Sequence, residues 1–160
     1  MTSGKNLPSL DPSELLGRGV FSSGSASRWQ KGRRDHDTFL QKEGVDDLSV
    51  DRLDHASPEV MAEIGDRVAA IRSRRFYGWA VLSVEKASEQ GRTVEATPLL
   101  ANRYHADIHL NISAVIERRD AQHTHALALV AVAAWRARPQ APPTSSGTAT
   151  HPTEPDLPPR

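Results

Sequence analysis

Cysteine is absent from the 160 residues of this chain. That absence excludes disulfides, a cysteine nucleophile, thiolate zinc sites and iron-sulfur clusters together. Aromatic residues are scarce, with three Trp, two Tyr and three Phe, so a core has to be built mostly from Ala, Val, Leu and Ile. Long apolar runs are missing too. The longest, Ala126 to Trp135, is ten residues, against the roughly 20 that a membrane-spanning helix requires. The first twenty residues lack the basic segment and apolar stretch of a secretory leader, and the chain reads as cytoplasmic. Common catalytic signatures are missing as well. Gly17, Gly19 and Gly24 do not have dinucleotide-binding spacing, no lysine follows a glycine-rich loop, and neither a Gly-x-Ser-x-Gly elbow nor a His-Glu-x-x-His pair occurs. Asp46, Asp47, Asp51 and Asp54 lack the glycine and closing glutamate of a calcium loop.

What is present suits one domain with a modest core, at 38% hydrophobic and 25% charged residues. Net charge is zero only as a sum of opposing blocks: +4 over residues 1–34, −8 over 35–66 and +4 over 67–75. Such blocks can neutralise one another in the fold or face partners. Arginine far outnumbers lysine, a bias associated with GC-rich bacterial genomes. Pro139 to Arg160 holds seven of the eleven prolines and one large aliphatic residue, Leu157, so burial cannot offset its ordering entropy. The reading is a flexible segment over 1–10, a single α+β domain over 11–138 and a disordered proline-rich tail over 139–160.

Local signals place the elements. Asp11-Pro12-Ser13-Glu14 has the cap, the N1 proline and the first-turn acid of a short helix that Gly17 would end. Ser22 to Arg34 has no apolar period and reads as a loop, and Phe39-Leu40 opens a possible strand. Leu48 to Arg52 alternates apolar and polar side chains, as a half-buried strand does. Ser57-Pro58-Glu59 caps a helix in which Val60, Ile64, Val68 and Ile71 fall at helical spacing, ending near Arg75. Ala80, Val84 and Ala87 repeat at the same spacing before Gly91, which predicts a second helix from Trp79 to Gln90. Thr93 to Ala96 is a short strand halted by Pro98, and Tyr104 to Leu110 is the clearest strand by alternation. Ala121 to Arg138 reads as a closing helix, apolar nearly all round and therefore buried in the core or against a partner. The expected fold is α+β: about three short strands, mixed or antiparallel, covered by three helices.

Alternation around Ile108 places His105, Asp107 and His109 on one strand face. Neighbours two apart lie about 7 Å from each other, whereas His105 and His109, about 13 Å apart, cannot easily share one metal ion. Two ligands at best come from this row, and the rest would have to come from Asp35, His36, Asp37 or Asp51. No spacing demands that, so no metal or cofactor is expected, and the plain alternative is the wet face of a half-buried strand. Without a metal, His105 can serve as general acid or base with Asp51 or Asp107 fixing its tautomer, because imidazole titrates near neutrality. Arg52, Ser49 and Tyr104 are the accompanying candidates for binding. His123 and His125 point apart if their segment is helical. Arg28, Lys31, Arg33 and Arg34 surround Trp29, a mix of charge and stacking surface suited to nucleic acid, though the acidic block that follows would repel a polyanion.

Leu48-Ser49-Val50-Asp51-Arg52, Gly78-Trp79-Ala80-Val81-Leu82, Gly91, Pro98 and Asn102-Arg103-Tyr104-His105-Ala106-Asp107-Ile108 together span about Phe39 to Leu110. This pattern resembles small uncharacterised bacterial proteins with a Ser-Val-Asp segment and a closing Asn-x-x-His-Ala segment. The resemblance implies no activity, but it points to Ser49, Asp51, Arg52, His105 and Ala106 as positions to test. Two functions are expected. The first is a noncatalytic binding or accessory protein that meets a protein partner or a second copy through the apolar helix 121–138. The second is a small enzyme acting on a phosphodiester or nucleotide, with His105, Asp51 and Asp107 as catalytic groups and Arg52 meeting phosphate.

Overall fold

A computed structural model describes residues 6–113 and 117–140. Residues 1–5 of the expected flexible N-terminus and 141–160 of the expected tail lie outside the described residues. Within them, six strands pair antiparallel in one sheet: β1 (Leu15–Val20), β2 (Asp47–Arg52), β3 (Gly78–Ser83), β4 (Thr93–Ala96), β5 (His105–His109) and β6 (Ala134–Ala137). Their order is β4-β5-β2-β1-β3-β6. Four helices accompany them: α1 (Ser23–Gln30), α2 (Pro58–Ile71), α3 (Val84–Ala87) and α4 (Arg118–Val132). No helix among them is long and apolar enough to cross a membrane.

The expected sheet of about three strands under three helices is thus corrected to six strands and four helices, and each difference has a local cause. Asp11 does accept a hydrogen bond from Ser13 N at 2.8 Å, but the turn it closes leads into β1. Gly17 and Gly19 do not break that strand; they make room. A Cβ at Gly17 would come within 2.7 Å of the Trp79 ring, and one at Gly19 within 2.9 Å of Phe21. The segment read as a helix from Trp79 begins with β3, which is buried along almost its whole length. A strand covered on both faces has no period of two to betray it. The closing helix stops at Val132 instead of reaching Arg138, because Ala133 turns extended and β6 then pairs Trp135 with Ala80. The expected loop at Ser22 to Arg34 contains α1, which Ser22 caps and which buries Ala26 and Trp29. Phe39 follows a single 3-10 turn, His36–Thr38, and is buried outside any strand. β2, β4, β5 and α2 lie where alternation and capping place them, α2 ending at Ile71.

Two cores flank the sheet. Leu16, Val20, Leu48, Val50, Ala80, Leu82, Ala106 and Ile108 meet α1, α3 and α4 on one face. α4 buries Ala126, Leu129 and Val130 here but leaves Leu127 and Val132 exposed, so it is not covered all round as its composition suggested. Trp29 stacks on Trp135 with ring centroids 6.3 Å apart. On the other face α2 packs Met61, Ile64 and Ala69 with Trp79, Val81 and Phe76, and Gly65 admits the Phe76 ring so closely that a Cβ there would lie 2.6 Å from it. α2 covers the β1 and β3 side of that face, so the outward positions of β2, β5 and β4 stay polar and partly open.

Of the charge blocks, the first two meet through Arg28 and Asp35, while Asp46 and Asp66 pair with arginines outside the blocks. Arg28 pairs with Asp35 at 2.7 Å, Arg118 with Asp46, and Arg138 with Asp66 at 2.5 Å. The most buried pair is Arg52 with Glu14. Arg52 Nε lies 2.6 Å from Oε1 and Nη2 3.0 Å from Oε2, and His55 Nε2 sits 2.9 Å from Oε1. Arg52 Nη2 also donates to the Pro8 carbonyl at 2.7 Å, which ties down the chain before β1.

Candidate functional site

β2 and β5 pair with Asp51 opposite His105, Ser49 opposite Asp107 and Asp47 opposite His109. Directly opposed residues carry Cβ atoms about 4.5–5.5 Å apart, so this register sets a row of carboxylates beside the row of imidazoles on the partly open face. The edge of α2 and the turn ahead of β5 close part of that face into a cavity of about 320 Å3. Arg18, Asp51, Asn102 and His105 line it on one side, and Ile64, Val68, Phe76 and Leu99 on the other.

The imidazole of His105 is held in one orientation. Its Nδ1 lies 3.0 Å from the Thr97 carbonyl oxygen and 2.9 Å from Thr97 Oγ1. A carbonyl only accepts, which assigns the hydrogen to Nδ1 and leaves Nε2 to take a proton. The Thr97 hydroxyl in turn donates to Asp107 Oδ2 at 2.8 Å. Asp107 Oδ1 stands 3.9 Å from His105 Nε2. The arrangement is a carboxylate, a hydroxyl and an imidazole in series, ending on a free ring nitrogen.

Asp51 is set differently. The buried Asn102 donates to its Oδ1 at 2.7 Å, and Asn102 Oδ1 accepts from Tyr104 N at 3.1 Å, which fixes the amide. Burial pushes the Asp51 carboxyl above the usual carboxylate range and outweighs Asn102, His105, Trp79 and Arg18, which all favour its charged form. Trp79 Nε1 is itself buried with no properly placed hydrogen-bond acceptor among the described residues. Arg18 stands where β1 and β2 diverge. Its Nε and Nη1 donate to the carbonyls of Thr38, at 3.1 Å, and Ser49, at 2.8 Å. Burial lowers its pKa to about 10, with Arg72 acting in the same direction, and it stays cationic at neutral pH.

Of the residues named from sequence, His105, Asp51 and Asp107 come together, and Ser49 lines the same cavity. Tyr104 is near through its backbone, while its ring packs toward the smaller core. Ala106 faces the other core. Arg52 does not join them, since Glu14 holds its guanidinium. Trp29 has no free face for a base, being 5% exposed and hydrogen-bonded through Nε1 to Thr38. Around it, Arg28 is paired with Asp35 and Arg34 donates to the Val130 carbonyl, so the expected nucleic-acid surface loses its aromatic and part of its charge. His123 and His125 lie on α4 and diverge, His123 toward the His36 ring and His125 toward Arg92. Sequence reasoning missed Arg18 and Thr97. A lone cation between two glycines, Gly17-Arg18-Gly19, was the available signal for the first; nothing local marks the second.

Further along the face His109 bridges two strands, with Nδ1 2.6 Å from Asp47 Oδ1 and Nε2 2.9 Å from Glu95 Oε2. The hydrogen bonds to Asp47 and then Glu95 raise its pKa above 6.5. A raised imidazole pKa contributes stability that is fully present below 6.5 and lost as pH climbs through the folded value. The carboxylates are 60% and 66% exposed, which limits the effect to less than about 1 kcal/mol. His109→Gln is expected to destabilise the protein near pH 5.5 and to matter progressively less toward pH 8.5, read as the difference in Tm between the two chains across about that range. Among the described residues no group of three or more His, Asp or Glu side chains is placed to hold a metal ion. Comparison with models of protein families, with curated proteins and with solved structures finds no match.

Proposed function

We propose that this protein is a small acid–base enzyme whose active site is the cavity between α2 and strands β1, β2 and β5. The observation that carries the reading is the juxtaposition, in one partly enclosed cavity, of an oriented imidazole and a half-buried carboxyl whose desolvation disfavours its charge. An imidazole and a carboxyl held in one cavity can supply an acid and a base. His105 Nε2 takes the proton, Thr97 and Asp107 hold the ring, and Asp51 with Asn102 supplies the facing hydrogen-bonding group. The apolar wall of α2 excludes water from one side. A phosphodiester or nucleotide substrate loses the support expected from Arg52, which Glu14 holds. A noncatalytic binding role keeps one supporting surface, the exposed Ile71, Leu99 and Leu100 beside the cavity mouth.

Asp51→Asn tests the reading. In a panel covering ester and amide hydrolysis, enolisation and isomerisation of small molecules, the substitution should cut turnover by about 10²–10⁴-fold. It should not lower Tm at neutral pH. A carboxyl whose folded pKa is raised loses the fold stability as pH rises through 3.8 toward that value, and asparagine removes this loss, so Tm should rise. Full turnover in the variant, or turnover lost only because the chain unfolds, would remove Asp51 from the mechanism.

A further inference from the structure

Arg18, like Arg34, Arg92 and Arg119, forms hydrogen bonds without an ion pair, but of these four only Arg18 lines the cavity. Arg28, Arg52, Arg118 and Arg138 each meet a carboxylate. The hydrogen bonds of Arg18 go to two neutral carbonyls, and no carboxylate ion-pairs with it among the described residues. A guanidinium has five N–H donors in a planar fork, so those two bonds leave donors over at a group that lines the cavity. Arg18 is half-buried, and Asp51 and Asp107 favour its charge without ion-pairing with it, so an anion in the cavity can take the donors left over. The rest of the cavity asks for something else. Ile64, Val68 and Leu99 form its wall, and Ile71, 84% exposed, carries the apolar strip out to solvent.

We propose that the cavity takes a singly charged amphiphile, a carboxylate with an aliphatic or aromatic body, its head on Arg18 and its body along Ile64, Val68 and Leu99 toward Ile71. This names the substrate class of the active site proposed above and rests on that reading. A single guanidinium fork matches a carboxylate in two hydrogen bonds. One fork leaves the second charge of a phosphate dianion unmatched. Arg67 and Arg72 also border the cavity, but they lie on the exposed side of α2, Arg72 over the Phe21 ring at 5.9 Å. A cavity of about 320 Å3 is at the small end of the range of roughly 300–1,000 Å3 found for ligand pockets, which sets the ligand at the size of a medium-chain acid.

The test is calorimetric titration of the full chain with octanoate, octylammonium, 1-octanol, octyl phosphate and acetate. Octanoate should bind, octylammonium should not, and 1-octanol and acetate should bind at least tenfold more weakly than octanoate, as expected when a charge-assisted hydrogen bond and apolar burial both contribute. Arg18→Gln should weaken octanoate by at least about tenfold. Because Arg18 also ties β1 to β2, Ile71→Glu provides a second arm on an exposed position and should weaken octanoate by setting a like charge at the mouth. The proposal is overturned if octanoate does not bind, if 1-octanol or octylammonium matches it, if octyl phosphate binds tighter, or if both variants bind octanoate as the wild type does. Failure here and failure of the enzyme reading are separable. If octanoate does not bind while Asp51→Asn still abolishes turnover of an uncharged substrate, the ligand class falls alone. If octanoate binds but no carboxylic acid is turned over in a way that depends on His105, the enzyme reading falls and the binding site stands.

Discussion

Glu14→Ala should lower the free energy of unfolding by about 3–5 kcal/mol, because it leaves the Arg52 charge buried without its partner. The side chains of the pair are 4% and 2% exposed, so water cannot replace what is removed. For a chain of this size each kcal/mol moves Tm by about 2–4 °C, and a fall of about 6–20 °C is expected in thermal unfolding. The size of the effect reflects the orphaned cation more than the net worth of the pair. Glu14→Leu combined with Arg52→Met should accordingly recover much of the loss. The pair also sets an acid limit. Burial acts to raise the Glu14 carboxyl, but the hydrogen bond and charge of Arg52, with His55 beside it, outweigh burial and hold it below the usual range. A depressed carboxyl contributes stability above its unfolded pKa of 4.5 and loses it as pH falls through the folded value. The deficit of Glu14→Ala should therefore shrink in acid below pH 4.5. A deficit that is unchanged there, or a Tm that barely moves at neutral pH, would show that the pair contributes little.

His105→Ala should reduce turnover by about 10²–10⁴-fold while moving Tm by no more than about 2–4 °C, the equivalent of roughly one hydrogen bond. The asymmetry follows from where the ring sits. Its backbone is held in β5 by the ladder with β2 and β4, and the hydroxyl of its partner, Thr97, keeps its acceptor in Asp107. His105→Gln, which preserves hydrogen-bonding capacity without a titrating nitrogen, should be equally inactive. Turnover that survives in the glutamine variant, or a Tm that collapses in both, would return His105 to a structural role.

Part of this site was legible in one dimension. Period-two alternation at Leu48 to Arg52 and at Tyr104 to Leu110 placed Asp51, His105, Asp107 and His109 on common faces, and a strand leaves no other choice for residues two apart. The cap at Ser57-Pro58 located α2, which walls the cavity. β1, α1, β3 and β6 were not legible, because in each the deciding interaction is with something distant in sequence. Gly17 and Gly19 look like breakers until Trp79 and Phe21 are seen filling the space beside them. Ser-Gly-Ser-Ala is a poor helix until Ser22 caps it and Trp29 is buried against Trp135.

Composition and periodicity by themselves determined the absence of cysteine, a mixed α and β content, strands β2 and β5 and the faces on which Asp51, His105, Asp107 and His109 emerge, since those depend on residues within a few positions of one another. Tertiary structure alone decided that Asp51 stands opposite His105, that Arg52 is claimed by Glu14, and that Arg18 lines the cavity with its hydrogen bonds going to carbonyls. Strand register, ion pairing and desolvation join segments tens of residues apart, and no local pattern encodes which of the available partners will be met.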